Sequence, residues 1–237
     1  MTDFESAQLV AVASAFAGCY HFCCEFHFRQ NVRKHVVDCG LSNDLDYDVN
    51  FQQFVRLIWS VCAVPITEID WYYSNIVHPK APYKDNNQEN LVYNQKLTRF
   101  IQYIERTYFG ALKQDGSRSQ GRYPPRTWNK HEFIEGMRDS TNNKSESFNR
   151  FLMEILKSAP NLWVLLKGLK TEESRARAKV LDDAQGNIPH YIAEGVKRKK
   201  YIRKKKALKT IVAGYSRENI AEFTANIAKY YSDYHIE

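Results

Sequence analysis

No apolar run in these 237 residues approaches the roughly 20 that a membrane-spanning helix requires, so no bilayer span is expected. A secretory leader is not expected either. Residues 9–17 are apolar, and Ala15-Phe16-Ala17 before Gly18-Cys19 imitates a cleavage site. The residues ahead of them, however, carry Asp3 and Glu5 and neither Lys nor Arg, the reverse of a signal peptide's basic start. The same stretch reads as an amphipathic helix with Leu9, Val12, Ala13 and Phe16 on one stripe. Cysteine is sparse and unevenly placed: Cys19, Cys23, Cys24, Cys39 and Cys62 are odd in number and confined to the first quarter. That excludes a disulfide framework and points to reduced thiols in an intracellular compartment. No internal repeat is present, which removes the solenoid architectures.

What the chain does have is core-forming material, with 43% hydrophobic and 14% aromatic residues, too much for a disordered chain. It also has a strongly local positive charge. The net charge is +7, yet eight of the ten residues at 197–206 are Lys or Arg, and the other 227 sum to about −1. Lys197, Arg198, Lys199, Lys200, Arg203, Lys204, Lys205 and Lys206 are therefore candidate nucleic-acid contacts, or a segment read by a nuclear import receptor. A solvated helix face is the alternative. Only Tyr201 and Ile202 interrupt the run, so stacking on single-stranded bases is not indicated.

Helical periodicity dominates. Phe51, Phe54, Val55, Ile58 and Cys62 fall on one stripe, as do Leu97, Phe100, Ile101, Ile104 and Tyr108. Further helices are predicted at 3–17, 67–76 (ended by His78-Pro79), from about 143, at 162–180, and from 216 with Ile220, Phe223, Ile227 and Tyr231 inward. Residues 19–28, dense in aromatic, Cys and His side chains, are predicted as a buried strand. The polar stretch 113–122 is predicted as a flexible loop, followed by extended backbone at Tyr123-Pro124-Pro125.

Three places could carry chemistry: Asp3, the segment Cys24-Glu25-Phe26-His27, and Asn142-Asn143-Lys144-Ser145-Glu146. Each also has a structural explanation. Thr2-x-x-Glu5 and Asn143-x-x-Glu146 have capping-box spacing, and Asp3 suits a helix N-terminus. Glu146 falls opposite the apolar stripe Phe148, Phe151, Leu152 and Ile155, where a solvated glutamate would also lie. Zinc is disfavoured, because Cys19, His21, Cys23, Cys24 and His27 sit within nine residues instead of in two separated pairs.

In order along the chain stand an Asp-Phe-Glu start, a helix, Cys24-x-x-His27-Phe28 running into Arg29-Gln30-Asn31-Val32, Pro124-Pro125-x-x-Trp128-Asn129, and Asn142-Asn143-x-x-Glu146-x-Phe148. This succession resembles the catalytic domain of Mutator-like (MULE) transposases, most densely at 3–65 and 123–175. The resemblance implies a mainly α chain with a small α/β remnant, a truncated ribonuclease-H-like core of DDE type with an all-helical insertion. It places a partial core at 1–40, the insertion at 41–122, a return to the core with a Glu-bearing helix at 123–185, and a basic helical segment at 186–237. Asp3 matches the second acid of the triad and Glu146 the third, which would hold Mg²⁺ or Mn²⁺ through hard carboxylate oxygens. Cys24 and His27 match the family's Cys-x-x-His pair. Only Met1 and Thr2 precede Asp3, so the first acid has no counterpart here and strand transfer by this chain is not expected. The expectation is thus a nuclear, DNA-associated, transposase-derived protein whose incomplete core invites self-association or a partner chain. The alternative is a helical protein–protein interaction module with no DNA role.

Overall fold

The helical periods seen in the sequence become helices in the computed structural model, which describes residues 4, 6–16, 18, 21–115, 117–138, 150, 153–154, 161–185 and 196–232. Side chains at 6, 8, 179, 183–184 and 196–200 lie outside that description. In chain order the helices are α1 (Ser6–Ala15), α2 (Glu25–Asp38), α3 (Ser42–Tyr47), α4 (Val49–Ser60), α5 (Ile69–Tyr72), α6 (Gln88–Ile104), α7 (Pro125–Trp128), α8 (His131–Glu135), α9 (Leu162–Ala184), α10 (Val196–Ala213) and α11 (Ile220–Ser232). The fold is mainly α: among the described residues β structure is confined to the isolated antiparallel bridge of Leu112 to Arg118 and a single bridge residue at Cys23. No helix among them is long and apolar enough to cross a membrane.

Local chemistry sets the helix ends. Asp48 caps α4 by accepting from the backbone N–H groups of Asn50 (2.8 Å) and Phe51 (3.2 Å). Asn87 does the same for α6 through the Asn90 N–H at 3.0 Å. At the end of α2, Gly40 takes a positive φ of 72°. Its N–H reaches the Val37 carbonyl at 2.8 Å, and the Leu41 N–H reaches Val36 at 3.0 Å. This Schellman arrangement closes over an apolar contact pair, Val36 and Leu41, both fully buried.

The chain divides into two compact units, residues 1–141 with 205–237, and residues 142–204. The first has one continuous apolar core. Phe28, Val32 and Val36 enter from α2, Phe51, Phe54 and Ile58 from α4, Leu97, Phe100 and Ile104 from α6, and Phe223, Ile227 and Tyr231 from α11. Each large apolar side chain so buried contributes about 1.5–3 kcal/mol. Trp128 sits among them, stacked on Phe28 at 5.4 Å between centroids and met edge-on by Tyr108 and Phe109. In the second unit α9 carries two surface ion pairs, Glu172–Arg175 and Glu173–Arg177, at 2.9 and 2.7 Å. It leaves Trp163 78% exposed.

Three expectations need correction. The strand at 19–28 is absent among the described residues: only a single bridge residue, Cys23, stands before α2, which starts at Glu25. Composition suggested a strand there, but Phe28, Val32 and Val36 repeat every fourth residue, and that helical period prevails. In α1, Leu9 and Val12 are half-buried as expected, while Ala13 and Phe16 are exposed. Third, the described residues of 113–122 are fastened by hydrogen bonds to the chain just before them. The Ser119 N–H donates to the Ala111 carbonyl (2.9 Å), Arg122 to Arg106 (3.0 Å) and Tyr123 to Thr107 (2.9 Å). The Arg118 guanidinium adds to the fastening, donating to the Gly110 carbonyl at 2.9 Å and lying 3.5 Å from the Glu105 carboxylate. Gly110 makes this possible: its φ is +85°, and a Cβ there would meet the Ser119 carbonyl oxygen at 1.6 Å.

Candidate functional site

Asp3 and Glu146, the two carboxylates singled out by sequence, lie outside the described residues. So do Cys19 and the Asn142-Asn143 pair. Cys24 and His27 are described and belong to the start of α2, where Cys24 is the extended N-cap residue (φ −71°, ψ 132°) and fully buried. His27 is half-buried in the first turn. Among the described residues no three His, Cys, Asp or Glu side chains are grouped so as to hold a metal ion.

What gathers around the start of α2 is a buried polar cluster that sequence reading did not assemble. Glu25, 5% exposed, accepts a hydrogen bond from the Tyr231 hydroxyl at 3.3 Å and lies 3.8 Å from the Arg29 Nε. The same Tyr231 oxygen is 3.5 Å from the Cys62 sulfur, and the Cys62 thiol donates to the Trp59 carbonyl at 3.0 Å. Burial, then the nearby Glu25 carboxylate, pushes the Cys62 thiol up to about 12. It is a neutral, unreactive thiol at physiological pH. Burial likewise holds the Tyr231 hydroxyl well above its ordinary value, with Cys62 and Glu25 adding to the effect. These residues come from α2, the 3-10 turn just after α4 and α11, so the cluster ties the first and last parts of the chain together.

Lys130 completes it. Its side chain is fully buried, and its Nζ has no hydrogen-bond partner among the described residues. The ammonium lies over the rings of Phe133 (4.9 Å) and Phe22 (5.3 Å). Burial pulls its pKa below the ordinary lysine value, and the attraction of the Glu25 carboxylate opposes that shift without cancelling it. The backbone explains its position. The Lys130 N–H donates to the Cys62 carbonyl at 2.6 Å, and the Cys23 N–H to the Thr127 carbonyl at 2.6 Å, so residues 127–130 are laced between Cys23 and Cys62.

The Trp128-Asn129 pair is part of the same lacing. The Trp128 indole N–H donates to the Tyr123 carbonyl (2.9 Å), the Asn129 amide donates to Val64 (2.8 Å), and its oxygen accepts from the His131 N–H (3.0 Å). Both residues hold the fold by these bonds. The sequence marks Tyr231 as inward-facing and Glu25 as part of the Cys24–His27 segment, but it does not join them to each other or to Lys130, because the partners lie far apart along the chain.

The basic run lies on α10. Its backbone is helical throughout, and the side chains of Lys197, Arg198, Lys199 and Lys200 are outside the described set. Leu208 (5% exposed) and Val212 (1%) anchor the C-terminal part of the helix in the core. Arg203 and Lys206 are exposed, whereas Lys204 and Lys205 are half-buried. After α10, the Arg217 guanidinium grips both oxygens of Glu68 (2.7 and 3.1 Å) and lies 4.7 Å above Trp71. Tyr215 packs edge-on against Phe223 at 5.0 Å.

Compared with known protein families, characterised proteins and solved structures, the chain matches none.

Proposed function

We propose that this is a transposase-derived, DNA-associated protein that docks on nucleic-acid backbones through α10 and enters the nucleus by the same run. The observation that carries the reading is the concentration of charge. Eight cations stand at 197–206 in a chain otherwise near neutrality, on a helix whose C-terminal part is anchored by Leu208 and Val212. Lysine and arginine contacts of this kind neutralise phosphates irrespective of sequence, so the binding is salt-sensitive and does not read bases. The order of motifs from Cys24-x-x-His27 to Asn142-Asn143-x-x-Glu146 supports the transposase origin and the ribonuclease-H-like remnant. The metal part of the expectation rests on Asp3 and Glu146; with both outside the described residues, no catalytic step is assigned to Mg²⁺ or Mn²⁺.

Fluorescence anisotropy against a labelled duplex across a salt series tests the reading. Steeply salt-dependent binding is expected, lost when the eight basic residues are changed to glutamine. A second reading, a helical interaction module, is favoured by the exposed apolar residues Leu162, Trp163 and Leu166 on α9. Absence of binding at low salt by a folded sample would leave that module as the better account. A thermal shift with Mn²⁺ that disappears in Asp3→Ala and Glu146→Ala would show that those carboxylates hold a metal.

A further inference from the structure

Resting on the nucleic-acid reading above, we infer that Lys206 and Lys209 are phosphate contacts and that Lys205 is not. The burial of Leu208 and Val212 fixes how α10 is rotated about its own axis. At about 100° per residue, Leu208 and Val212 share one side with Lys205 and Ile211, which are half-buried. The remaining positions are all exposed, with Lys206, Ala207, Thr210 and Ala213 on the other side of the helix and Lys209 on its flank.

That exposed face has the composition a phosphodiester backbone would meet well. Its charges are both positive, and the sequence holds no Asp or Glu between Glu194 and Glu218 to repel a phosphate. The residues beside the lysines are small, so the helix can approach a backbone closely while the two flexible stems reach outward. The Thr210 hydroxyl is already bonded to the Lys206 carbonyl within the helix at 3.2 Å, so it is not counted among the phosphate ligands. No large apolar side chain lies on this face among residues 205–213. An interfacial membrane helix would need one to enter the acyl region, so nucleic acid is the polyanion that fits.

The test compares three full-length proteins, the parent, Lys206→Gln/Lys209→Gln and Lys205→Gln, by anisotropy against one labelled duplex between about 50 and 200 mM salt, the range over which such binding changes most. The double variant is expected to lower the slope of log affinity against log salt by about 1.8, two phosphates at about 0.9 each. Lys205→Gln is expected to leave the slope unchanged, and circular dichroism melts should be equal for all three. A parent that binds, together with an unchanged slope in the double variant, would overturn the assignment and leave the DNA reading standing. An equal loss in Lys205→Gln would do the same. A parent that does not bind duplex at low salt, or that binds anionic vesicles in its place, would overturn the DNA reading and this inference with it.

Discussion

Replacing Lys130 with methionine should make this protein more stable at neutral pH. Methionine keeps the length and most of the volume of the aliphatic stem and removes the ammonium group. Lys130 is fully buried and its amine lacks a hydrogen-bond partner among the described residues, so folding strips its water and returns little. The two ring contacts, at 4.9 and 5.3 Å, return about 0.5–2 kcal/mol each. Desolvating an ion costs several kcal/mol. Burial lowers its pKa, and the Glu25 carboxylate opposes that shift only in part. Glu25 is not orphaned by the change, because Arg29 at 3.8 Å and the Tyr231 hydroxyl at 3.3 Å remain. The expected gain is about 1–2 kcal/mol, the cost of one buried unsatisfied donor. For a chain of this size that corresponds to a rise of about 2–4 °C in Tm per kcal/mol.

The pH dependence makes the test specific. Below its folded-state pKa the lysine is charged whether the chain is folded or not, and the penalty is present in full. Above that pKa the folded protein releases the proton while the unfolded chain keeps it up to about pH 10.4. The unfolded state then binds more protons, so the stability of the parent rises with pH over that window. The methionine variant lacks this rise, and its advantage should shrink as the pH is raised from 7 towards 10. Urea melts at several pH values measure both quantities. A variant that is destabilised at pH 7, by an amount independent of pH, would refute the reasoning and show Lys130 to be a satisfied cation.

Other perturbations follow from single contacts. Gly110→Ala should cost about 3 kcal/mol or more in a urea melt, because it combines a positive φ with a Cβ driven into the Ser119 carbonyl. Gly214→Ala is its control: the nearest atom is the Ile211 carbonyl oxygen at 3.5 Å, an ordinary contact, so stability should change by no more than about 1 kcal/mol. Tyr231→Phe removes the hydroxyl shared by Glu25 and Cys62 and should cost about 1–2 kcal/mol. A double-mutant cycle with Glu25→Gln should be non-additive, and additivity would mean the two groups do not interact. Asp48→Ala should cost about 1 kcal/mol by leaving the first turn of α4 uncapped, with Asp48→Asn losing little.

Much of the helical layout follows from short-range periodicity. The stripes at 51–62 and 97–108 can be read without knowing what they face, since spacing at three and four residues specifies a helix and its inward side. Phe51, Phe54, Val55, Ile58 and Cys62 are all buried, as are Leu97, Phe100, Ile101, Ile104 and Tyr108. The basic run is legible for the same reason, because charge density is a local property. Around Cys24 aromatic and cysteine content points to a strand, while the fourfold spacing of Phe28, Val32 and Val36 specifies the helix that forms. The order at 113–122 is not legible in its polar composition, because it comes from Arg118 meeting Glu105 and Gly110.

The sequence by itself therefore determined the helical class, the inward faces of the long helices and the single cationic segment. Only the tertiary structure decided that Glu25, Cys62, Lys130 and Tyr231 form one buried cluster, with Tyr231 reaching Glu25 across 206 positions of chain. It also decided which of Lys204, Lys205, Lys206 and Lys209 face water, since that depends on where Leu208 and Val212 are seated. The physical reason is common to both. Burial and charge pairing are set by neighbours brought together in space, and a residue's chemical type does not disclose which neighbours those are.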